Sequence, residues 1–299
     1  MKYYYRIYGL NIESTVEICE LEVINKDCSI DARLYYGEVD DDIKLSIKNG
    51  HNTGYDKDSM WFNIEVVAIY HIYGGDTILI QPYDNSSFNQ IKLYILGSVM
   101  GMLLLQKNIV AIHGGGIVIN GKGCIFTGEK GAGKSTITTA LRKKGYKFLA
   151  DDVCSIADDN NLINYGFPYQ KICEDAMLQL GYNIDEFVPF RGDLDINKYM
   201  VPAFDDFTKQ DVQLNTIFEI SVGEVNKVEI EEIKGAHKIN KLIDNIFRVE
   251  VIGYSGGMDG LYFKKCLNIA KNIKMYKIIR PKGIFSVKEQ IEIIEEMFL

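Results

Sequence analysis

Gly128-Glu129-Lys130-Gly131-Ala132-Gly133-Lys134-Ser135-Thr136 is the stretch on which the fold turns. It fits G-x-x-x-x-G-K-[ST], the Walker A phosphate-binding loop. The spacing has a chemical reason. Glycines at 128, 131 and 133 let the backbone turn tightly and aim successive N–H groups at one anion. Lys134 is placed to reach the β- and γ-phosphates of a nucleotide, and the Ser135 hydroxyl to ligate Mg²⁺. The helix expected from Thr136 onward adds the positive end of its dipole. All nine residues, 128 to 136, are therefore expected to line a nucleotide site. The alternative is a structural glycine turn.

Immediately upstream, Cys124-Ile-Phe-Thr127 is apolar enough for the strand that must feed such a loop. Before it come Ile109-Val-Ala-Ile-His-Gly-Gly-Gly-Ile-Val-Ile119 and then Asn120-Gly121. Two apolar runs around Asn-Gly predict a hairpin. With Asn120 and Gly121 in the turn, His113 faces Gly128; with Gly121 and Lys122 there, it faces Lys130. Either register sets His113 beside the start of the loop, as a group that helps place the phosphates or the carboxylate of Asp151. The alternative is an ordinary edge histidine.

Downstream, Gly145 marks a helix end. Tyr146-Lys-Phe-Leu-Ala-Asp151-Asp152-Val153 then reads as a strand ending in two carboxylates, with Asp151 17 residues beyond Lys134. In a parallel sheet the carboxyl end of the next strand lies beside the phosphate loop. One carboxylate can there hold Mg²⁺ and the other take a proton from an attacking hydroxyl.

The rest of the chain is quieter. Residues 1 to 88 show short alternating runs, such as Thr15 to Ile24, separated by turn signals at Asn49-Gly50, Gly74-Gly75-Asp76 and Pro82 to Ser87. They predict a small, mainly β N-terminal region. Residues 89 to 107 read as one core helix, with Gly97 and Gly101 allowing close packing. Lys171 and Asp175 fall near a predicted helix start. Residues 193 to 206 are polar and broken, suggesting a lid or a substrate loop. Arg191, Lys198, Arg248 and Arg280 are candidates to neutralise phosphate charge. Ser286-Val-Lys-Glu289 predicts a capping box on a C-terminal amphipathic helix.

Length and composition narrow the classes. The 299 residues suffice for one large or two modest domains, and 47% hydrophobic with 25% charged residues is ordinary for a globular protein. A net charge of −8 argues against broad nucleic-acid or anionic-membrane binding. Met1-Lys-Tyr-Tyr-Tyr-Arg6 lacks the apolar core of a signal peptide, and the apolar run Tyr94 to Leu105 is short for a bilayer span. A cytoplasmic protein is expected, its six cysteines free thiols. Its four histidines are scattered, with no metal-ligand cluster.

The His113 strand, the loop and Gly145-Tyr-Lys-Phe-Leu-Ala-Asp-Asp-Val together resemble the C-terminal catalytic domain of HPr kinase/phosphorylase, a fold similar to the core of phosphoenolpyruvate carboxykinase. Outer segments resemble the HPr-kinase-related proteins of peptide-modification systems, including lasso-peptide precursor kinases. These segments are Tyr5-Arg-Ile-Tyr-Gly-Leu, Lys92-Leu-Tyr-Ile-Leu-Gly-Ser, Gly166-Phe-Pro, Lys198-Tyr-Met-Val-Pro and Tyr276-Lys-Ile-Ile-Arg-Pro. The resemblance implies an α/β fold with a P-loop kinase core over residues 89–299, preceded by the β region over 1–88. It assigns the base to Asp151 and the position near the metal to Asp152. No clear copy of the segment associated with dephosphorylation is present, and the N-terminal region does not look like the family's regulatory domain. HPr itself is therefore not the expected substrate.

The leading expectation is an ATP- and Mg²⁺-dependent kinase acting on a hydroxyl, with a serine of a peptide or protein as acceptor. A small-molecule alcohol kinase and a nucleotide-binding regulator without transfer stay open. The guanine-reading N-K-x-D and the transporter-type L-S-G-G-Q are both absent. Oligomeric state is open, a homo-oligomer included.

Overall fold

A computed structural model describes residues 1–157, 160–187, 189–191 and 197–299. Among these residues the chain is mixed α/β with two eight-stranded sheets, and it divides into two compact units. One comprises residues 1–111 with 247–263, the other 112–246 with 264–299. The unit boundary thus differs from the expected break at residue 88.

In the first unit the strand order is Glu22–Val23, Tyr3–Ile7, Leu10–Ser14, Ala32–Tyr36, Thr77–Pro82, Ala68–Tyr73, Ser59–Ile64, Thr53–Tyr55. The helical segment Phe88–Gln106 belongs with this sheet, which is why the unit outruns residue 88. The Tyr8 hydroxyl donates to the Leu96 carbonyl and the Tyr70 hydroxyl to that of Ile91. The segment has the length and apolarity of a bilayer span, yet more than half of it is buried. Gly101 has the tight role expected of it, since a Cβ there would collide with the Phe247 ring. A π-helical stretch, Ile95–Val99, interrupts the α-helix.

Two local expectations fail in this unit. The Thr15–Ile24 run keeps an alternating burial as far as Cys19, but only Glu22–Val23 joins the ladder. Its amides bond elsewhere, Thr15 to the Leu34 carbonyl and Ile18 to the Tyr5 hydroxyl. Asn49-Gly50 ends a helix, Asp41–Lys48, and is not a turn between strands.

In the second unit the main sheet runs Lys147–Ala150, Ala111–Ile119, Lys122–Gly128, Val212–Gly223, Lys274–Pro281, Glu229–Glu232, and two short strands pair off this path, Val153–Ser155 with Ala111–Ile119 and Leu162–Ile163 with Val212–Gly223. Asn120 and Gly121 form the hairpin turn with φ of 49° and 76°, as a two-residue primed turn requires. Cα pairing from Lys122↔Ile119 to Thr127↔Gly114 selects the register in which His113 comes opposite Gly128. The loop strand pairs in parallel with Val212–Gly223, and that strand in parallel with Lys274–Pro281. Lys147–Ala150 pairs antiparallel with the His113 strand, which itself runs antiparallel to the loop strand. The Asp-bearing strand and the loop strand therefore point the same way, with the His113 strand between them. The carboxyl ends of both and the start of the histidine strand meet at one edge.

Helix Lys134–Lys143 packs on one sheet face through Ile137 and Leu141, against Phe126, Phe148, Phe218 and Ile220. It ends at Gly145, φ 101°, where Gly145 N–H bonds Arg142 O and Tyr146 N–H bonds Leu141 O, the Schellman arrangement. Helix Val287–Glu296 begins without its capping box. Glu289 accepts from the Val228 amide at 3.2 Å, and Ser286 Oγ lies 3.3 Å from Gln290 Nε2. A small separate sheet, Tyr169–Cys173, Asn197–Pro202 and Pro189–Arg191, completes the unit. Residues 193–196 of the suggested lid lie outside the described residues; most of its remainder is strand Asn197–Pro202 and a turn.

Candidate active site

The loop has the backbone its glycines promised. Gly128, Gly131 and Gly133 have φ of 134°, 84° and 111°, all in the region that penalises a Cβ. At Gly128 a side chain is also excluded sterically, because its Cβ would run into the Ile220 carbonyl of the neighbouring strand. Lys134 opens the helix and donates to the carbonyls of Gly128 at 2.8 Å and Glu129 at 3.1 Å. Burial lowers its ammonium pKa, while Asp152 and Asp151 pull the other way; the Lys198 charge adds to the lowering. Glu129, Lys130, Ala132, Ser135 and Thr136 lie along the same turn and the first helical residues.

Arg280 braces the loop from outside. From the end of strand Lys274–Pro281 it donates to the Ala132 carbonyl at 2.6 Å and the Gly131 carbonyl at 3.0 Å. It holds the loop's carbonyls, leaving the amides to face an anion. Of the other candidate cations, Lys198 is close enough to bias Lys134. Arg248 belongs to the first unit, where it faces Ser98 and Glu250.

Asp151 and Asp152 are adjacent in sequence and opposite in environment. Asp151 is buried, and its Oδ2 accepts the Lys171 amide at 2.8 Å. Burial, and then the neighbouring Asp152 charge, push its carboxyl up to about 6. Asp152 is 30% exposed and has φ 69°, with Val153 N–H bonding the Asp151 carbonyl at 2.8 Å across it. That is the rarer, strained γ-turn. Its Oδ2 meets Lys171 Nζ at 3.1 Å and its Oδ1 meets His113 Nδ1 at 3.3 Å. Burial opposes ionisation here too, but the Lys171 ammonium and the His113 hydrogen bond outweigh it and hold this carboxyl well below the usual range.

His113 is thus on the expected edge, but the carboxylate its Nδ1 meets is that of Asp152 in place of the expected Asp151. The γ-turn directs the Asp152 carboxylate and carbonyl at the imidazole, whose Nδ1 lies 3.1 Å from that carbonyl, while Asp151 turns inward to the Lys171 amide. Both neighbours of Nδ1 are acceptors, which makes Nδ1 the protonated nitrogen. The strand end is fixed by Asn245, whose carbonyl accepts His113 N–H. The Thr127 hydroxyl lies 2.7 Å from the His113 carbonyl and 2.8 Å from Asn245 Oδ1.

Lys171 is the member of this cluster whose place the sequence did not reveal. It sits on strand Tyr169–Cys173 and touches both carboxylates, one through its amide and one through its ammonium. Gln170 anchors that strand to the loop helix, with Nε2 2.6 Å from Thr138 Oγ1 and Oε1 2.9 Å from Thr139 Oγ1. Asp175 is exposed on helix Glu174–Gln179, with no role in this cluster.

No family model matches the chain, and no curated protein matches it. Among solved structures it is similar to the HPr(Ser) kinase/phosphatase from Coxiella burnetii, at 13% identity and a TM-score of 0.31, over 62% of this chain and 89% of that one.

Proposed function

We propose that the chain is an ATP- and Mg²⁺-dependent kinase that transfers the γ-phosphate to a hydroxyl, with a serine of a peptide or protein as the acceptor. The observation that carries this reading is the split carboxylate pair at the mouth of the phosphate loop. Asp151, raised to about 6, can take a proton near neutral pH; Asp152, held ionised, can serve a cation.

The residues fit a magnesium nucleotide. The glycine backbone leaves room for phosphate oxygens, and Lys134 now spends its protons on two loop carbonyls that a phosphate can replace. Ser135 and Asp152 are hard-oxygen donors suited to Mg²⁺, which takes one or two carboxylates and draws its remaining ligands from phosphate and water. When bound, Mg²⁺ neutralises charge on the transferring phosphate.

The protein's own work is positioning and proton handling. Loop amides and Lys134 hold the phosphates, and Asp151 accepts the acceptor hydroxyl's proton. His113, through Asp152, fixes the edge against which the γ-phosphate lies, and Lys171 keeps the two carboxylates in different states.

The test is transfer of label from γ-labelled ATP to serine-containing peptides and, separately, to small alcohols, with wild type and Asp151→Asn. Transfer to peptides that disappears in Asp151→Asn, with ATP binding retained, is the expected result. Preferential labelling of small alcohols would move the acceptor class. ATP binding with no transfer to any acceptor would leave a nucleotide-binding regulator.

A further inference from the structure

The nucleotide site as described has a phosphate end and a reactive flank, but nothing yet receives the nucleoside. The sheet order supplies a direction. His113 and the Asp151–Asp152 turn lie on the side of the loop strand taken by Ala111–Ile119 and Lys147–Ala150. A γ-phosphate facing them sends the nucleoside the other way, over the carboxyl ends of Val212–Gly223 and Lys274–Pro281. Ligands in open α/β sheets gather at those strand ends.

That flank carries exposed apolar side chains. Val222 is 43% exposed, Ile284 56% and Phe285 47%. They are not scattered. In the parallel ladder Gly128 pairs with Ile220, Ile220 with Ile278, and Val222 with Arg280. Val222 shares the sheet face of Ile220, which packs in the cluster that includes loop residue Ala132.

Ile284 and Phe285 are tethered to the loop from both sides. Arg280, upstream, bonds the Ala132 carbonyl; Val287, downstream, packs in the same cluster as Ala132. Phe285 is two residues from Val287, so their Cα atoms are at most about 7 Å apart. The turn between is itself pinned, with Lys282 N–H bonding the Gly223 carbonyl and Gly283 at φ 72°.

We propose that Val222, Ile284 and Phe285 form the base-binding ledge of this nucleotide site, with the Phe285 ring stacking on a purine. The assignment rests on the loop being a nucleotide phosphate site and extends it to the other end of the ligand. A flat aromatic ring beside an anchored phosphate suits a base, which offers a π-face to stack on. An aromatic residue left half-exposed on a short pinned turn is explained by the same role.

Isothermal titration of the full chain with Mg-ATP and with Mg-tripolyphosphate separates the ledge from the loop. Phe285→Ala should weaken ATP binding about tenfold, the scale of one lost base stack, and leave tripolyphosphate unchanged. Phe285→Trp should keep ATP affinity and show fluorescence quenching by Mg-ATP but not by Mg-tripolyphosphate. The single native tryptophan, Trp61, is buried and belongs to the other unit. Unchanged ATP affinity in Phe285→Ala, with tripolyphosphate still binding, overturns the ledge and spares the loop. Equal losses for both ligands overturn it as well, pointing to a distorted loop. A wild-type chain that binds neither ligand overturns the ledge and the kinase reading together.

Discussion

The phosphate loop and the Asp151–Asp152 turn sit at one edge of one sheet and are built on opposite plans. The loop is local: nine consecutive residues and three glycines at positive φ present main-chain groups. The turn is assembled from afar. Asp152 meets Lys171 19 residues on and His113 39 residues back, and Asp151 accepts an amide 20 residues on. The loop can be recognised from a pattern, because its chemistry is backbone. The turn's chemistry depends on which side chains the fold delivers, so its carboxylates show in the sequence but their division of labour does not.

Four experiments press on this contrast. Lys134→Ala strikes the loop's own cation and should bring transfer to background, a loss of about 10³-fold or more, on the scale of a deleted charge-stabilising group. A thermal-shift assay should show Mg-ATP stabilising the mutant far less than wild type. Equal stabilisation would detach nucleotide binding from the loop.

Asp151→Asn comes next, with turnover down about 10²–10³-fold and ATP affinity kept, as for loss of a general base. Wild-type turnover should fall as pH drops through about 6, when Asp151 takes up its proton. The same substitution has a thermodynamic signature of the opposite sign. A folded pKa near 6 lies above the ordinary aspartate value of 3.8, so ionising Asp151 costs the folded state. Stability contributed by this group falls as pH rises from about 4 to 6 and stays lost above that. Asp151→Asn should then raise the apo melting temperature at pH 8, by the equivalent of about 1–3 kcal/mol. An unchanged or lower value would mean that Asp151 is not strained by ionisation.

Lys171→Met tests the long-range half directly. It removes the main cation facing Asp152 and a lowering influence on Asp151, so the acidic limb of the pH–rate profile should move to higher pH. A loss of turnover of about 10–10²-fold should accompany it. A lower rate with an unmoved profile would make Lys171 a packing residue only. His113→Ala is the mildest, about tenfold, the loss of one positioned polar group worth roughly 1–3 kcal/mol. If it matches wild type, the imidazole serves only to hold the γ-turn.

What could be read in advance follows the same divide. Asn120-Gly121 and the flanking apolar runs carried the hairpin and narrowed its register to two, and Gly145 carried the helix end, because each rests on φ/ψ demands within a few residues. The Asp pair was legible by its distance from Lys134. Lys171 was not, since its role needs strand Tyr169–Cys173 docked through Gln170 onto the loop helix. The capping box at Ser286 misled because Glu289 is taken by the Val228 amide, 61 residues away. The unit boundary misled because a later segment, 247–263, returns to the first unit and puts Phe247 against Gly101.

The Arg280 brace also has a consequence in time. It closes on loop carbonyls made 148 and 149 residues earlier. A chain still on the ribosome already holds the whole glycine motif and both aspartates, but its loop stays unsupported until strand Lys274–Pro281 has emerged and joined the sheet. Synthesis proceeds from the N-terminus, and contacts so distant in sequence form late. Bracing of the phosphate loop thus waits on the emergence of strand Lys274–Pro281, and a chain truncated before that strand carries the motif without its brace.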